Sequence, residues 1–369
     1  MRKSLSFFLL LYFLCSSIVL SATNLSNVGN VDKSEAPSSI FDRLSEQEVL
    51  EISVRTNVDK LLVNKKSASY QSAFIKFAES SDIDAEWRVS IRARGKYRKK
   101  VCDFPPLKIK FDHSVLGPEN LKAYKSLKLV THCGDRAETE ELLHKEYLAY
   151  KIYNTITDQS LRVQLVKINW IDSKGNHEIG EKWGFLIENE DEMAERLGGG
   201  IYEEYGVQQA DLNPQSAAQN SLFQYMIGNP DWNLESDKNI NLIKSNTSRE
   251  IMIVPYDFDF SGAVNASYAV TAFGLTSVQE RIYLGESSTE EISEAVALFK
   301  SKKGEVLNQI SSYEHLSRSG RNSIKKYIKS FYLSIDEPLK RQAYYQERID
   351  ANKVTKSQKG NASIEQSRI

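Results

Sequence analysis

"IMIVPYDFDFSG", residues 251–262, sets two aspartates one residue apart at the end of an apolar run. In an extended strand, successive side chains point to opposite faces. Asp257 and Asp259 are therefore expected on one face, with Val254, Tyr256, Phe258 and Phe260 on the other. Two like charges held side by side repel unless something positive lies between or above them. Hard cations such as Mg²⁺ take oxygen ligands, often one or two carboxylates together with substrate phosphates. Taken alone, the stretch also fits a strand end whose polar edge faces water, so the rest of the chain has to decide.

The chain has 369 residues, enough for one large domain or two moderate ones. Charged residues make up 26% and hydrophobic residues 41%, ordinary values for a globular protein, and the net charge of -1 gives no reason to expect a nucleic-acid partner. Arg2 and Lys3 precede the apolar run "FFLLLYFLCSSIVL", and Ser21 and Ala22 follow it. This is the layout of a secretory signal peptide over residues 1–22, with no integral membrane span expected after its cleavage. Export leaves Cys102 and Cys133 in the mature chain, and an oxidising compartment favours pairing them, with two buried thiols as the alternative.

Residues 23–40 read as a Ser- and Asn-rich linker. "LEISVRTN", "SAFIKFAE", "WRVSIRARG" and "PLKIKF" alternate apolar and polar residues and predict strands between 48 and 112. A helix is expected at about 138–156, then strands in "RVQLVKINWI" and "KWGFLIEN", and a second helix over 214–228. "KNINLI" and "EIMIVPYDFDF" predict a hairpin. Beyond about 275 the pattern is helical, opened by a capping box at Ser288 and Glu291, and residues 346–369 form a polar tail. This order suggests an α+β fold rather than a doubly wound sheet.

Several segments could carry chemistry. Arg88, Arg92 and Arg94 are expected on one strand face, suited to phosphate or simply solvated, and Lys108 and Lys110 share the polar face of "PLKIKF". Glu188 ends the strand "WGFLIE" and could position a nucleotide or an ion. Asp231 follows a helix-ending Asn-Pro in "IGNPDWNLESDKNINLI", with Asn239 and Asn241 on the strand beyond. In phosphotransferases an aspartate of this kind orients the acceptor hydroxyl, while a following asparagine and a later aspartate hold Mg²⁺ against the phosphates. An Asx-rich turn before a hairpin would produce the same letters. "RLGGGIYEE" is read as a helix C-cap.

The ordered set "RARGKYRKKVCDFPPLKIKF", "HCGDRAETEELLHKEYLAYKIYN", "WGFLIENEDEMAERLGGGIYEE", "NPDWNLESDKNINLI" and "IVPYDFDFSG" resembles the CotH kinase family, the spore-coat-protein-H-like proteins, over roughly residues 85–262. The resemblance implies an atypical protein-kinase-like fold, with a strand-rich N-terminal lobe over about 41–190 and a helix-rich C-terminal lobe over about 191–345. It also implies ATP-dependent phosphorylation of protein serines, with ATP and Mg²⁺ bound between the lobes. Asp231 would be the catalytic aspartate, and Asn239, Asp257 and Asp259 would serve the metal. Lys108 or Lys110 would contact phosphate, and Arg94 and Glu188 would complete the nucleotide site. Tyr256 stands where the family has tryptophan, and "VCDFPP" fits a cysteine-containing subgroup.

Two functions compete on these grounds. The first is an exported phosphotransferase acting on a hydroxyl of an exported protein, for which scarce extracellular ATP is a physical difficulty. The second is a cell-envelope binding or structural module without turnover. A sugar-nucleotide transferase is a weaker third, because no doubly wound domain precedes the Asp-x-Asp pair.

Overall fold

The alternating segments of the first half all turn their apolar faces to a common interior. The computed structural model describes residues 39–67, 69–77, 86–117, 121–122, 124, 126–204, 206–341 and 344–351. The expected signal peptide, nearly all of the linker and most of the polar tail lie outside them. Short helices α1 (Ile40–Leu44) and α2 (Val58–Val63) flank β1 (Val49–Thr56). β2 (Gln71–Phe77), β3 (Glu86–Ala93), the short α3 (Arg98–Val101), β4 (Leu107–Phe111), α4 (His113–Leu116) and β5 (Leu127–Thr131) follow. The long helix α5 (Ala137–Ile156) precedes the paired strands β6 (Val163–Asp172) and β7 (Gly180–Ile187).

These seven strands close into a barrel in the order β1-β2-β3-β4-β5-β7-β6. Closure comes from a parallel pairing of β1 with β6, in which Val49 faces Leu165 and Thr56 faces Asp172. Val54, Ile75, Ile91, Ile109, Leu129 and Ile168 fill the interior. The bilobal kinase-like fold expected from the resemblance, with an N-terminal sheet lobe and a helical C-terminal lobe, is overturned by this closed barrel. Alternation specifies one apolar face per strand. It carries no information on whether the first and last strands of a sheet meet, and that contact joins segments more than a hundred residues apart.

The outer face of the barrel supports the second half of the chain. Val130, Leu165 and Phe185 point outward and join Leu148, Ile152 and Tyr153 of α5 in a second core. That core continues into α7 (Pro214–Ile227), α8 (Thr289–Ser312) and α9 (Arg318–Leu333); α6 (Glu190–Arg196) lies between β7 and β8, and α10 (Glu337–Lys340) follows α9. A second sheet holds β8 (Gly199–Ile201), β9 (Ile240–Ser245) and β10 (Ile251–Pro255) in the order β10-β9-β8. The expected hairpin is its β9–β10 pair, and the expected capping box at Ser288 and Glu291 is formed. Gly228 ends α7 in the left-handed region at φ 63°, and a Cβ there would sit 2.0 Å from the Tyr327 hydroxyl oxygen, so glycine is required twice over. Of the glycine triplet read as a helix cap, Gly198 does follow α6 at φ 73°, but Gly199 and Gly200 belong to β8. Among the described residues, no helix is long and apolar enough to cross a membrane.

Cys102 and Cys133 form a disulfide with their Cα atoms 4.6 Å apart. It ties the end of α3 to the loop that leads into α5, and the Asp103 N–H donates to the Cys133 carbonyl beside it at 2.9 Å. The two cysteines are 31 residues apart, so the cross-link contributes about 3–4 kcal/mol through the entropy of the unfolded chain. A Cys102→Ser/Cys133→Ser chain should lose about that much in urea unfolding, and its midpoint should no longer respond to reductant.

Two buried histidines give the fold an acid sensitivity. His132 stacks on Phe104 with ring centroids 4.9 Å apart. The Nδ1 of His144 lies 2.7 Å from the Tyr313 hydroxyl. Burial pulls His144 down to about 3 and His132 down to about 4, from an ordinary value of 6.5. Between these values the unfolded chain binds protons that the folded chain refuses. The stability they contribute is complete above about pH 6.5 and is lost as pH falls through about 4 toward 3. The urea midpoint should drop across this window, and His132→Gln/His144→Gln should flatten the slope even if it lowers the baseline.

Candidate functional site

The two aspartates do not share a strand face. β10 stops at Pro255, which has no N–H to continue a ladder, and Asp257 adopts a left-handed backbone at φ 65°. Aspartate tolerates this conformation better than most residues. The chain therefore turns at Asp257, buries Phe258 in the core among the helices and places Asp259 on a different set of partners. The Asp257 N–H donates to the Tyr150 hydroxyl of α5 at 2.8 Å, which fixes the turn.

Asp259 is committed to structure. Its Oδ2 accepts from Arg98 Nε at 2.9 Å and from the Tyr268 hydroxyl at 3.0 Å. The other side of the Arg98 guanidinium donates to Glu146 of α5. Burial works against the charge on Arg98, but Asp259 and Glu146 outweigh it and hold its proton well above the usual range. Burial pushes Glu146 up against the pull of the same guanidinium.

Asp257 is placed otherwise. It is half-buried, and among the described residues its carboxylate has no hydrogen-bond or ion-pair partner. Burial pushes its carboxyl above the ordinary carboxylate range and the neighbouring Asp259 charge adds to this, while Arg98, Arg94 and Lys128 pull the other way. Arg94 lies just beyond β3, and among the described residues its guanidinium has no ion-pair partner. Lys128 projects from the outer face of β5 into an ion pair with Glu190 at the start of α6, with its ammonium 4.8 Å from the centre of the Tyr256 ring. Burial lowers Lys128 despite that partner. Burial would raise Glu190, but Lys128 brings it below its ordinary value.

The remaining expected residues divide. Lys108 pairs across the barrel wall with Arg92 on one side and Lys128 on the other, extending the cationic stripe. Lys110 pairs with Ser90 and is exposed, one step further from Lys128. Glu188 is fully buried and accepts from both Arg162 and Arg196 at 2.8 to 2.9 Å, so it fastens β6 to α6 and is not part of the Asp257 cluster. The acid that joins the cluster is Glu190, two residues on.

Asp231 and Asn239 do come together. Asn239 Nδ2 donates to the Asp231 carboxylate at 3.0 Å and to its carbonyl at 2.6 Å, and Lys238 pairs with the other carboxylate oxygen. The Tyr256 N–H donates to the Asn239 carbonyl at 3.0 Å, so the Asp231 loop and Asp257 meet at the same end of the β9–β10 hairpin. Asn241 lies opposite Val254 within the hairpin. Among the described residues, no three histidine, cysteine or carboxylate side chains converge as a metal-ligand set.

Sequence reading missed Lys128, Arg98, Glu146 and Glu190. Lys128 had a usable signal: a lone lysine alternating with leucines in "SLKLVT". Arg98 had none, because it sits in a run of basic residues that looks like a solvated turn. No protein-family model matches the chain, and no curated protein matches it.

The buried triad and the unpaired carboxylate should respond oppositely to mutation. Arg98→Met leaves Asp259 and Glu146 buried without their cation and should cost about 3–5 kcal/mol. Asp257→Asn removes a desolvated charge and its repulsion from Asp259, and should raise the melting temperature. Thermal and urea unfolding of the two variants beside the parent checks both directions.

Proposed function

We propose that the chain is an exported, Mg²⁺-dependent phosphotransferase that passes the γ-phosphate of ATP to a serine hydroxyl of an exported protein. The observation that carries this reading is Asp257: a carboxylate with no partner among the described residues, on a left-handed backbone, at some cost to stability, amid the charges of Arg94, Arg98 and Lys128. Perturbed, unsatisfied charges of this kind cluster at functional sites. Cations facing a carboxylate are what a metal–phosphate ion pair requires. The cations meet phosphate oxygens, and the carboxylate meets the metal.

The donor set fits Mg²⁺ of the kind bound by one carboxylate, water and substrate phosphates. Asp257 would hold it, with the side-chain oxygen of Asn239 as a second donor. Bound there, the ion would neutralise charge that develops on the phosphate oxygens. Asp259 would act by fixing Arg98. Arg94, whose guanidinium has no ion-pair partner among the described residues, would grip phosphate bidentately, and Lys128 would add a point charge, with Lys108 further along the stripe. Asp231 would orient the acceptor. As the hydroxyl oxygen bonds to the γ-phosphorus, the bond to the bridging oxygen breaks, ADP leaves and the hydroxyl proton passes to Asp231. Lys238 holds one oxygen of that carboxylate in an ion pair.

The motif resemblance to the spore-coat-protein-H-like family supports the same chemistry, and the reading needs no kinase-like fold. The disulfide supports export, since such bonds persist in oxidising compartments. One observation favours a module that binds without turnover: both Asp231 carboxylate oxygens are engaged, by Lys238 and by Asn239.

Thermal unfolding of the mature chain with ATP, with MgCl₂ and with both, beside Asp257→Asn and Asp231→Asn, tests the proposal. At a hundred times the dissociation constant, a ligand stabilises by about 2.7 kcal/mol. The parent should shift only with both ligands, and Asp257→Asn should not shift. Asp231→Asn should still shift but fail to label a serine-containing acceptor. No shift with any nucleotide overturns the reading, and a shift without transfer by the parent favours the binding module.

A further inference from the structure

A recess of about 360 Å³ begins one residue beyond Asp231. Trp232 and Leu234 of the Asp231 loop line it together with Val207, Leu212 and Phe273. This size, with a lining that mixes apolar side chains and polar groups, is that of a ligand pocket rather than a packing defect. The recess also contains a polar group that the fold does not satisfy. Asn220 of α7 is 0% exposed and lines the recess, and among the described residues neither its amide nitrogen nor its amide oxygen has a hydrogen-bond partner. Leaving such a donor and acceptor unmade is costly, because each has lost its water without gaining a partner. A buried amide with both atoms free suits a ligand that offers one acceptor and one donor side by side.

We propose that this recess is the acceptor subsite, taking an apolar side chain of the substrate polypeptide while Asn220 pairs with that residue's backbone carbonyl and N–H. The proposal rests on the phosphotransferase reading, which places the acceptor hydroxyl at Asp231. In an extended segment, one residue's carbonyl and N–H point the same way, so a single carboxamide can meet both. The recess adjoins Asp231, so the bound residue lies close in sequence to the reacting serine. An adenine edge could also pair with an asparagine amide, but the charge around the recess opposes a nucleotide. Among the described residues its lining holds Glu235 and Glu286 and no lysine or arginine, whereas Arg94, Lys108 and Lys128 lie elsewhere.

Binding can be read without turnover. A serine-centred heptapeptide with phenylalanine near the serine is titrated into the full chain, following tryptophan emission and heat of binding. Its Ser→Ala form and a Phe→Asp form are run beside it. The Phe and Ser→Ala peptides should bind alike, and the Phe→Asp peptide at least tenfold more weakly. Asn220→Leu keeps the side-chain volume, removes the unmet amide and should raise the melting temperature while weakening the Phe peptide at least tenfold. Leu234→Asp, on the loop, should weaken it comparably if Asn220→Leu does not fold. Trp232→Phe should abolish the emission change, which assigns that signal to the recess. Equal affinity for the Phe and Phe→Asp peptides, unchanged affinity in the folded Asn220→Leu and Leu234→Asp chains, no binding of any peptide, or competition by adenosine each overturns the proposal. Peptide binding needs no nucleotide, so the subsite can stand while the ATP–Mg²⁺ shift fails, and the reverse outcome is equally readable.

Discussion

The guanidinium of Arg98 is the pivot of this molecule. It is buried between Asp259, just past the second sheet, and Glu146 on the helix that lines the barrel's outer wall. Both carboxylates are almost inaccessible to water and neither has another cation in an ion pair among the described residues, so Arg98 ties the barrel, the helix and the hairpin end together across the apolar core they share. The disulfide secures the other end of the same short helix. The cross-link and the ion triad form one device: a covalent tether at Cys102 and an electrostatic lock four residues earlier, both closing on α5 and the segment that leads into it.

With Asp259 spent on that lock, Asp257 is left exposed to the cations without bonding to any of them. The end of β10 at Pro255, a left-handed aspartate and a hydrogen bond to Tyr150 set the position of that carboxylate. The lysine side of the site depends on the barrel. Lys108 and Lys128 are neighbours because β4 and β5 pair, and Glu190 reaches Lys128 because α6 starts where β7 leaves the barrel wall. The Asp231 loop arrives from the second sheet. The cluster is thus assembled from three parts of the chain that share no local signal.

Much of the secondary structure was legible because the period of the apolar residues is a local property. β1 to β4, β6, β7, the long helix α5, the capped helix α8 and the β9–β10 hairpin follow from alternation, capping and turn chemistry. β5 is buried on both faces over residues 129–131, and β8 is glycine-rich with little apolar pattern, so neither stood out. The Asp231–Asn239 contact was legible for the same local reason, since a loop and the strand that follows it are close in any fold. Glu188 misled because a strand-end glutamate looks the same whether it faces a cleft or two arginines of its own fold.

The sequence by itself determined which segments are strands and helices, that Cys102 and Cys133 were candidates to pair, and that acidic and amide side chains gather around residues 231 to 259. These depend on spacing along one short stretch. Only the tertiary structure decided that the strands close into a barrel, that Asp257 and Asp259 part company, and that Lys128 and Arg98 are the cations beside them. Each of those outcomes requires two distant segments to meet. The physical terms that select among such meetings are burial of an apolar face, neutralisation of a desolvated charge and satisfaction of a buried hydrogen bond. All of them depend on three-dimensional neighbours that no local pattern names.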